Sequence, residues 1–143
     1  MRFMIVVKAN ADSEAGKMPT DELIATMGRY HEELAKAGVL LEGNGLRPTS
    51  QAWRVKYSGD KVTVVDGPFA ETKELIAGYT LIQVKSREEA LAWSRRFPNP
   101  AGPGQPAEIE VRQLFELEDF VQGEGVAKFR ELDARLATAK KAS

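Results

Sequence analysis

Asp66-Gly67-Pro68-Phe69-Ala70-Glu71-Thr72-Lys73-Glu74 lies near the middle of the chain, between two runs that read as strands. Its chemistry is that of a sharp stop followed by one turn of helix. Gly67 admits backbone angles that other residues resist, and Pro68 fixes its own φ and drives Gly67 away from the α region. Phe69 is an apolar anchor in a polar turn, and Glu71, Thr72, Lys73 and Glu74 set four hydrogen-bonding side chains in succession. Asp66 ends the preceding strand, where its carboxylate can accept from the free N–H groups of the turn beyond. By itself the segment reads first as a well-built turn with charged decoration, since most loops only connect.

Upstream, residues 52–58 alternate, with Trp53, Val55 and Tyr57 on one face and Arg54 and Lys56 on the other. Gly59-Asp60 is a two-residue hairpin signal, and residues 61–65 return as the partner strand. Residues 66–74 therefore sit at the open end of a hairpin. Residues 39–46 read as a strand interrupted by Gly43 and Gly45, a pattern that marks a bulge or the close approach of a ligand or partner subunit. Asn44 between them can donate and accept.

Residues 20–37 read as a helix capped by Thr20, with Leu23, Met27, Tyr30 and Leu34 as its apolar stripe and Gly38 past its end. His31 borders that stripe and is the only histidine. A histidine so placed is more often packed or superficial than catalytic, yet it is the one side chain here that exchanges protons readily near neutral pH. Residues 2–9 form a first strand, apolar on both faces, and residues 10–17 a polar loop.

Downstream, residues 77–85 read as a strand. Ser86-Arg87-Glu88-Glu89 is a capping box that starts a helix through Phe97, ended by Pro98. Residues 98–106 hold four of the seven prolines and read as a stiff, extended segment, a spacer in preference to a lid. Residues 108–115 are the last strand. Residues 117–143 extend beyond the core as a helix from Val126 onward, and its stripe of Phe129, Leu132, Leu136 and Ala139 needs burial on its own subunit or a partner.

This order predicts an α+β fold, a ferredoxin-like βαββαβ with an inserted hairpin and a C-terminal helix. Residues 1–116 form the domain and 117–143 the extension. Helices on one sheet face leave the other to be covered, most simply by a second subunit in a homodimer.

Composition narrows the function. Twenty basic and 21 acidic residues give a net charge of −1, without the basic surplus that nucleic acid requires. There is no cysteine, hence no disulfide, thiolate nucleophile or thiolate metal site. The longest apolar run, Phe3 to Val7, is too short for a membrane span or a signal peptide, so a cytoplasmic location is expected. There is no phosphate-binding glycine loop, no histidine pair and no ligand spacing among the carboxylates. No metal or cofactor is expected.

The nonapeptide DGPFAETKE at 66–74 resembles the signature of the DGPF, or YCII-related, family of small bacterial proteins. Tyr30-His31-Glu32-Glu33-Leu34 with Ala37-Gly38-Val39-Leu40 resembles its first helix and second strand, and Glu42-Gly43-Asn44-Gly45-Leu46 its glycine-rich strand end. Gly78-Tyr79 through Val84 and Glu89-Ala90-Leu91-Ala92-Trp93 resemble the later strand and second helix, and Glu108 to Phe115 the last strand. Phe97 departs from the Cys or Ala more usual after Arg-Arg. The resemblance covers roughly residues 1–120. It implies a dimeric α/β barrel, two sheets packed face to face, and carries no established reaction.

The residues and the resemblance point to two functions. One is a small-molecule-binding protein with a regulatory or signalling role; the resemblance implies an association with extracytoplasmic-function sigma factors. Its ligand-binding residues would be Asn44, Phe69, Glu71, Thr72 and Lys73. The other is a cofactor-free lyase or isomerase using an acid–base pair, for which His31 and Asp66 are the candidates; the resemblance implies a His–Asp pair in a cleft, and these two match it only if they share one face of the sheet. A purely structural role for residues 66–74 is the third reading.

Overall fold

The computed structural model describes residues 1–71 and 73–142. Its elements follow as β1 (Arg2–Lys8), α1 (Ala11–Glu14), α2 (Asp21–Lys36), β2 (Leu40–Gly45), β3 (Trp53–Ser58), β4 (Lys61–Asp66), β5 (Ile76–Gln83), α3 (Arg87–Arg95), β6 (Ile109–Gln113) and α4 (Glu124–Ala142). Short 3-10 turns occupy Thr49–Gln51 and Leu117–Asp119.

Local chemistry accounts for the helix ends. The Thr20 hydroxyl accepts the Leu23 N–H at 3.1 Å and starts α2, and Gly38, at φ +74°, lets the chain leave it. Ser86 accepts the Glu89 N–H at 3.1 Å to start α3, while the Glu89 carboxylate takes the Lys85 N–H at 2.9 Å. The return bond of the expected capping box thus falls one residue early. Residues 10–17, expected as a loop, hold the single turn α1. The Asn10 side chain accepts the Ser13 N–H and the Ser13 hydroxyl accepts the Asn10 N–H.

Strands β2-β5-β1-β6 form a four-stranded sheet in that order, with every pair antiparallel. Strands β3 and β4 form a separate two-stranded sheet that turns at Gly59, φ +57°. Helices α2 and α3 pack on one face of the larger sheet. There Phe3, Ile5, Ile82 and Val84 from the sheet side meet Tyr30, Leu34 and Ala90. On the other face Val6 is buried, and Met4, Tyr79 and Leu81 are half-buried. The last strand is shorter than expected, ending at Gln113 opposite Phe3. The helical turn expected after Pro68 is instead a hydrogen-bonded turn, Glu74 N–H to Glu71 carbonyl at 2.9 Å.

The chain forms two compact units, Met1–Gln113 and Leu114–Ser143. In the second, the Phe115 and Phe120 rings lie 5.0 Å apart, and Arg130 donates to Gln122 at 2.7 Å. Val126 is buried. The expected stripe on α4 is not: Phe129, Leu132 and Leu136 are 59%, 39% and 61% exposed in the single chain.

Candidate functional site

The segment after β4 is built against the 3-10 turn at Thr49–Gln51. The Gly67 N–H donates to the Ala52 carbonyl at 2.9 Å, and a Cβ on Gly67 would stand 1.8 Å from the Thr49 carbonyl oxygen. Only glycine fits there. The Gly67–Pro68 peptide is cis. The Phe69 N–H donates to the Thr49 hydroxyl oxygen at 3.1 Å. Thr49 in turn donates its N–H, at 3.2 Å, and its hydroxyl to the Glu14 carboxylate. One threonine therefore ties α1, the 3-10 turn and the 66–74 segment, using its hydroxyl both as donor and as acceptor.

Strand β3 adds Arg54 from the polar face of the hairpin. Its guanidinium carbon lies 3.8 Å from the centroid of the Phe69 ring, and a guanidinium nitrogen is 3.7 Å from Glu71 Oε2. The first is a cation–π contact. The second is an ion pair too long for a hydrogen bond. Beside these groups lies an open cleft of about 400 Å³. Leu46, Pro48, Ala52, Leu75 and Ile76 supply its apolar wall, and Arg47, Thr49, Gln51, Arg54 and Phe69 the rest.

His31 is elsewhere. Its Nδ1 is 2.8 Å from the Met27 carbonyl and its Nε2 is 2.8 Å from the Thr80 hydroxyl. A carbonyl only accepts, so Nδ1 carries a proton. The ring rests on Gly43, where a Cβ would stand 2.8 Å from Nε2. The close approach expected at Gly43 is thus made by the chain's own histidine. Asn44, next along β2, points to the opposite face, where its amide donates to the Tyr79 hydroxyl at 3.1 Å and Tyr79 donates to Glu42 at 2.8 Å. Tyr30, beside His31, donates its hydroxyl to the Trp93 carbonyl at 2.7 Å. Burial pushes its phenol up to about 12, opposed by Arg96 and aided by Glu33.

Of the residues singled out from sequence, Phe69 lines the cleft and Glu71 pairs with an arginine that does. Asp66 ends β4 opposite Trp53, exposed, and its carboxylate has no hydrogen-bond or ion-pair partner among the described residues. The bond expected from Phe69 N–H to Asp66 goes to Thr49. No hydrogen bond joins His31 to Asp66, and both ring nitrogens are occupied. Lys73 is exposed in the turn, and Thr72 lies outside the described residues. Among the described residues no three His, Cys, Asp or Glu side chains converge as metal ligands. Glu14, Arg47, Thr49 and Arg54 belong to this site without any motif that marks them in the sequence. The Asn10/Ser13 spacing and the polar face of β3 were the available signals for Glu14 and Arg54.

This geometry, a glycine-proline-phenylalanine segment seated on a threonine turn at a hairpin's open end, sits in a chain whose residues 1–117 match the model of the YCII-related domain. The protein belongs to the YCII-related family. It is 35% identical over 98 residues to an uncharacterized protein of Rhizobium meliloti (strain 1021), covering 68% of this chain and 77% of that protein. Among the described residues no helix is long and apolar enough to cross a membrane.

Proposed function

We propose that this protein binds a small molecule in the cleft beside residues 66–71 and acts as a cytoplasmic regulatory or signalling accessory. The observation that carries this reading is the seating of Phe69: it bonds to Thr49 and lines a roughly 400 Å³ cleft within the matched domain. That volume is in the range of small-molecule sites. An association with extracytoplasmic-function sigma factors has family membership as its support. The alternative, a cofactor-free lyase or isomerase, requires His31 to give up Thr80 or Met27 before it could serve Asp66.

In the same reading the domain, residues 1–116, is ferredoxin-like, and two copies assemble as a dimeric α/β barrel. The antiparallel order β2-β5-β1-β6 with two helices on one face supports the first part. For the second, the barrel would pack the helix-free face of the larger sheet, with Met4, Val6, Tyr79 and Leu81, and the hairpin adds an exposed apolar face of its own. Register places Trp53, Val55, Tyr57, Val62 and Val64 on one face, and they are 65%, 41%, 77%, 60% and 62% exposed. A two-stranded hairpin is marginal alone, and such a contiguous apolar face marks an interaction surface.

The test is a thermal-shift screen of metabolites on the wild type and Phe69→Ala. A ligand at a hundredfold excess over its Kd stabilises the wild type by about 2.7 kcal/mol. A shift in the wild type that Phe69→Ala loses is the expected outcome. A compound that stabilises both proteins equally binds elsewhere and counts against the cleft.

A further inference from the structure

We propose that the cleft takes an organic carboxylate with an apolar body, its two oxygens held by the guanidinium of Arg54. This rests on the small-molecule reading above and names the class of ligand.

The donor set is the first argument. Arg54 lies over Phe69 at 3.8 Å, which holds the guanidinium in place. The cation–π contact uses none of the guanidinium's N–H groups as hydrogen-bond donors, and these suit a planar, two-oxygen acceptor. Its polar contact is Glu71 at 3.7 Å, and no described residue accepts a hydrogen bond from it. Arg47, on the same cleft, gives one N–H to the neutral Gln51 side chain at 3.1 Å. Two cationic groups thus face the cleft against the one carboxylate of Glu71. The Glu14 carboxylate nearby is engaged by the N–H and hydroxyl of Thr49.

The wall is the second argument. Leu46, Leu75 and Ile76 line the cleft, and Leu46 and Ile76 are 44% and 39% exposed. A small inorganic anion would leave that wall in water, whereas an alkyl or aryl acid covers it while its carboxylate meets Arg54. The bound carboxylate takes the place beside Arg54 that Glu71 now holds at a loose distance. Glu71 is then a competitor for the ligand, and neutralising it favours binding.

The experiment titrates the full-length protein with hexanoate, 1-hexanol and inorganic phosphate, followed by amide NMR shifts at the cleft. Hexanoate is expected to bind about tenfold or more tighter than either of the others, the difference one charge-assisted pair makes. Arg54→Lys retains the charge but loses the fork, and should weaken hexanoate about tenfold and hexanol much less. Glu71→Gln should tighten hexanoate. The opposite sign of the two variants separates a binding effect from a folding defect. Hexanol binding as tightly as hexanoate, or phosphate doing so, overturns the carboxylate assignment and leaves the small-molecule reading standing. No cleft shift with hexanoate also overturns it, and the metabolite screen then decides the broader reading by itself.

Discussion

Gly67 and Thr49 are in backbone contact so close that the smallest side chain cannot enter between them. A Cβ on Gly67 would stand 1.8 Å from the Thr49 carbonyl oxygen, and backbone cannot swing aside as a side-chain tip can. Gly67→Ala should cost about 3 kcal/mol or more, the upper end of overpacking penalties. Gly45→Ala, with nothing within 4 Å of its Cβ position, should be neutral or slightly stabilising. Urea denaturation of both variants checks this. Equal midpoints would mean that the turn at Thr49 is not packed against Gly67.

Gly43 and His31 should be coupled. The built Cβ lies 2.8 Å from His31 Nε2, so Gly43→Ala displaces the ring and its bond to Thr80, at a cost of about 1–3 kcal/mol. In a His31→Ala background the same substitution next meets the Thr80 hydroxyl at 3.5 Å, an ordinary contact, and should cost much less. A double-mutant cycle reads the interaction energy directly. Additive losses would exclude the contact.

Tyr30 should give stability an alkaline limb. Its folded pKa is raised from 10.0 to about 12 by burial, so the unfolded chain loses the proton first as pH rises. The contribution is complete below pH 10 and declines as pH climbs towards about 12. Tyr30→Phe also removes the bond to the Trp93 carbonyl, for about 1 kcal/mol at neutral pH. Denaturation at pH 8 and pH 11 should show the gap between wild type and variant closing or reversing. A constant gap would refute the assignment.

Asp66 should tolerate change. It is exposed and without a described partner, so Asp66→Ala and Asp66→Asn are both expected within about 0.5 kcal/mol of wild type. A graded loss, Ala worse than Asn, would restore the carboxylate as acceptor for the turn.

The hairpin face should hold the dimer. Light scattering at micromolar concentration is expected to give twice the chain mass for the wild type and the single mass for Trp53→Glu/Tyr57→Glu. Both side chains are exposed in the single chain, at 65% and 77%, so the charges should leave its fold intact. A monomeric wild type would remove the dimer. A dimeric double variant would move its interface away from this face.

Much of this architecture is written in short-range pattern. Alternation of Trp53, Val55 and Tyr57 with Arg54 and Lys56 defines β3, Gly59-Asp60 its turn, and Thr20 and Ser86 the helix starts. Those features depend on neighbours within a turn or a strand pair, and side-chain type alone decides them. The nonapeptide at 66–74 likewise carries the family resemblance, and it lies within the matched residues 1–117. The site did not follow. Thr49 meets Glu14 across 35 positions and Phe69 across 20, and no periodicity links such residues. Whether Asn44 shares a face with His31 is decided by the register of β2 on β5, shifted between Leu40 and Glu42, and a strand reverses its faces with each residue of register. Asp66 invited the role of acceptor because it stood nearest in sequence. Tertiary packing brought a threonine hydroxyl closer to the same N–H, and a donor with one proton makes its bond to whichever acceptor the fold delivers.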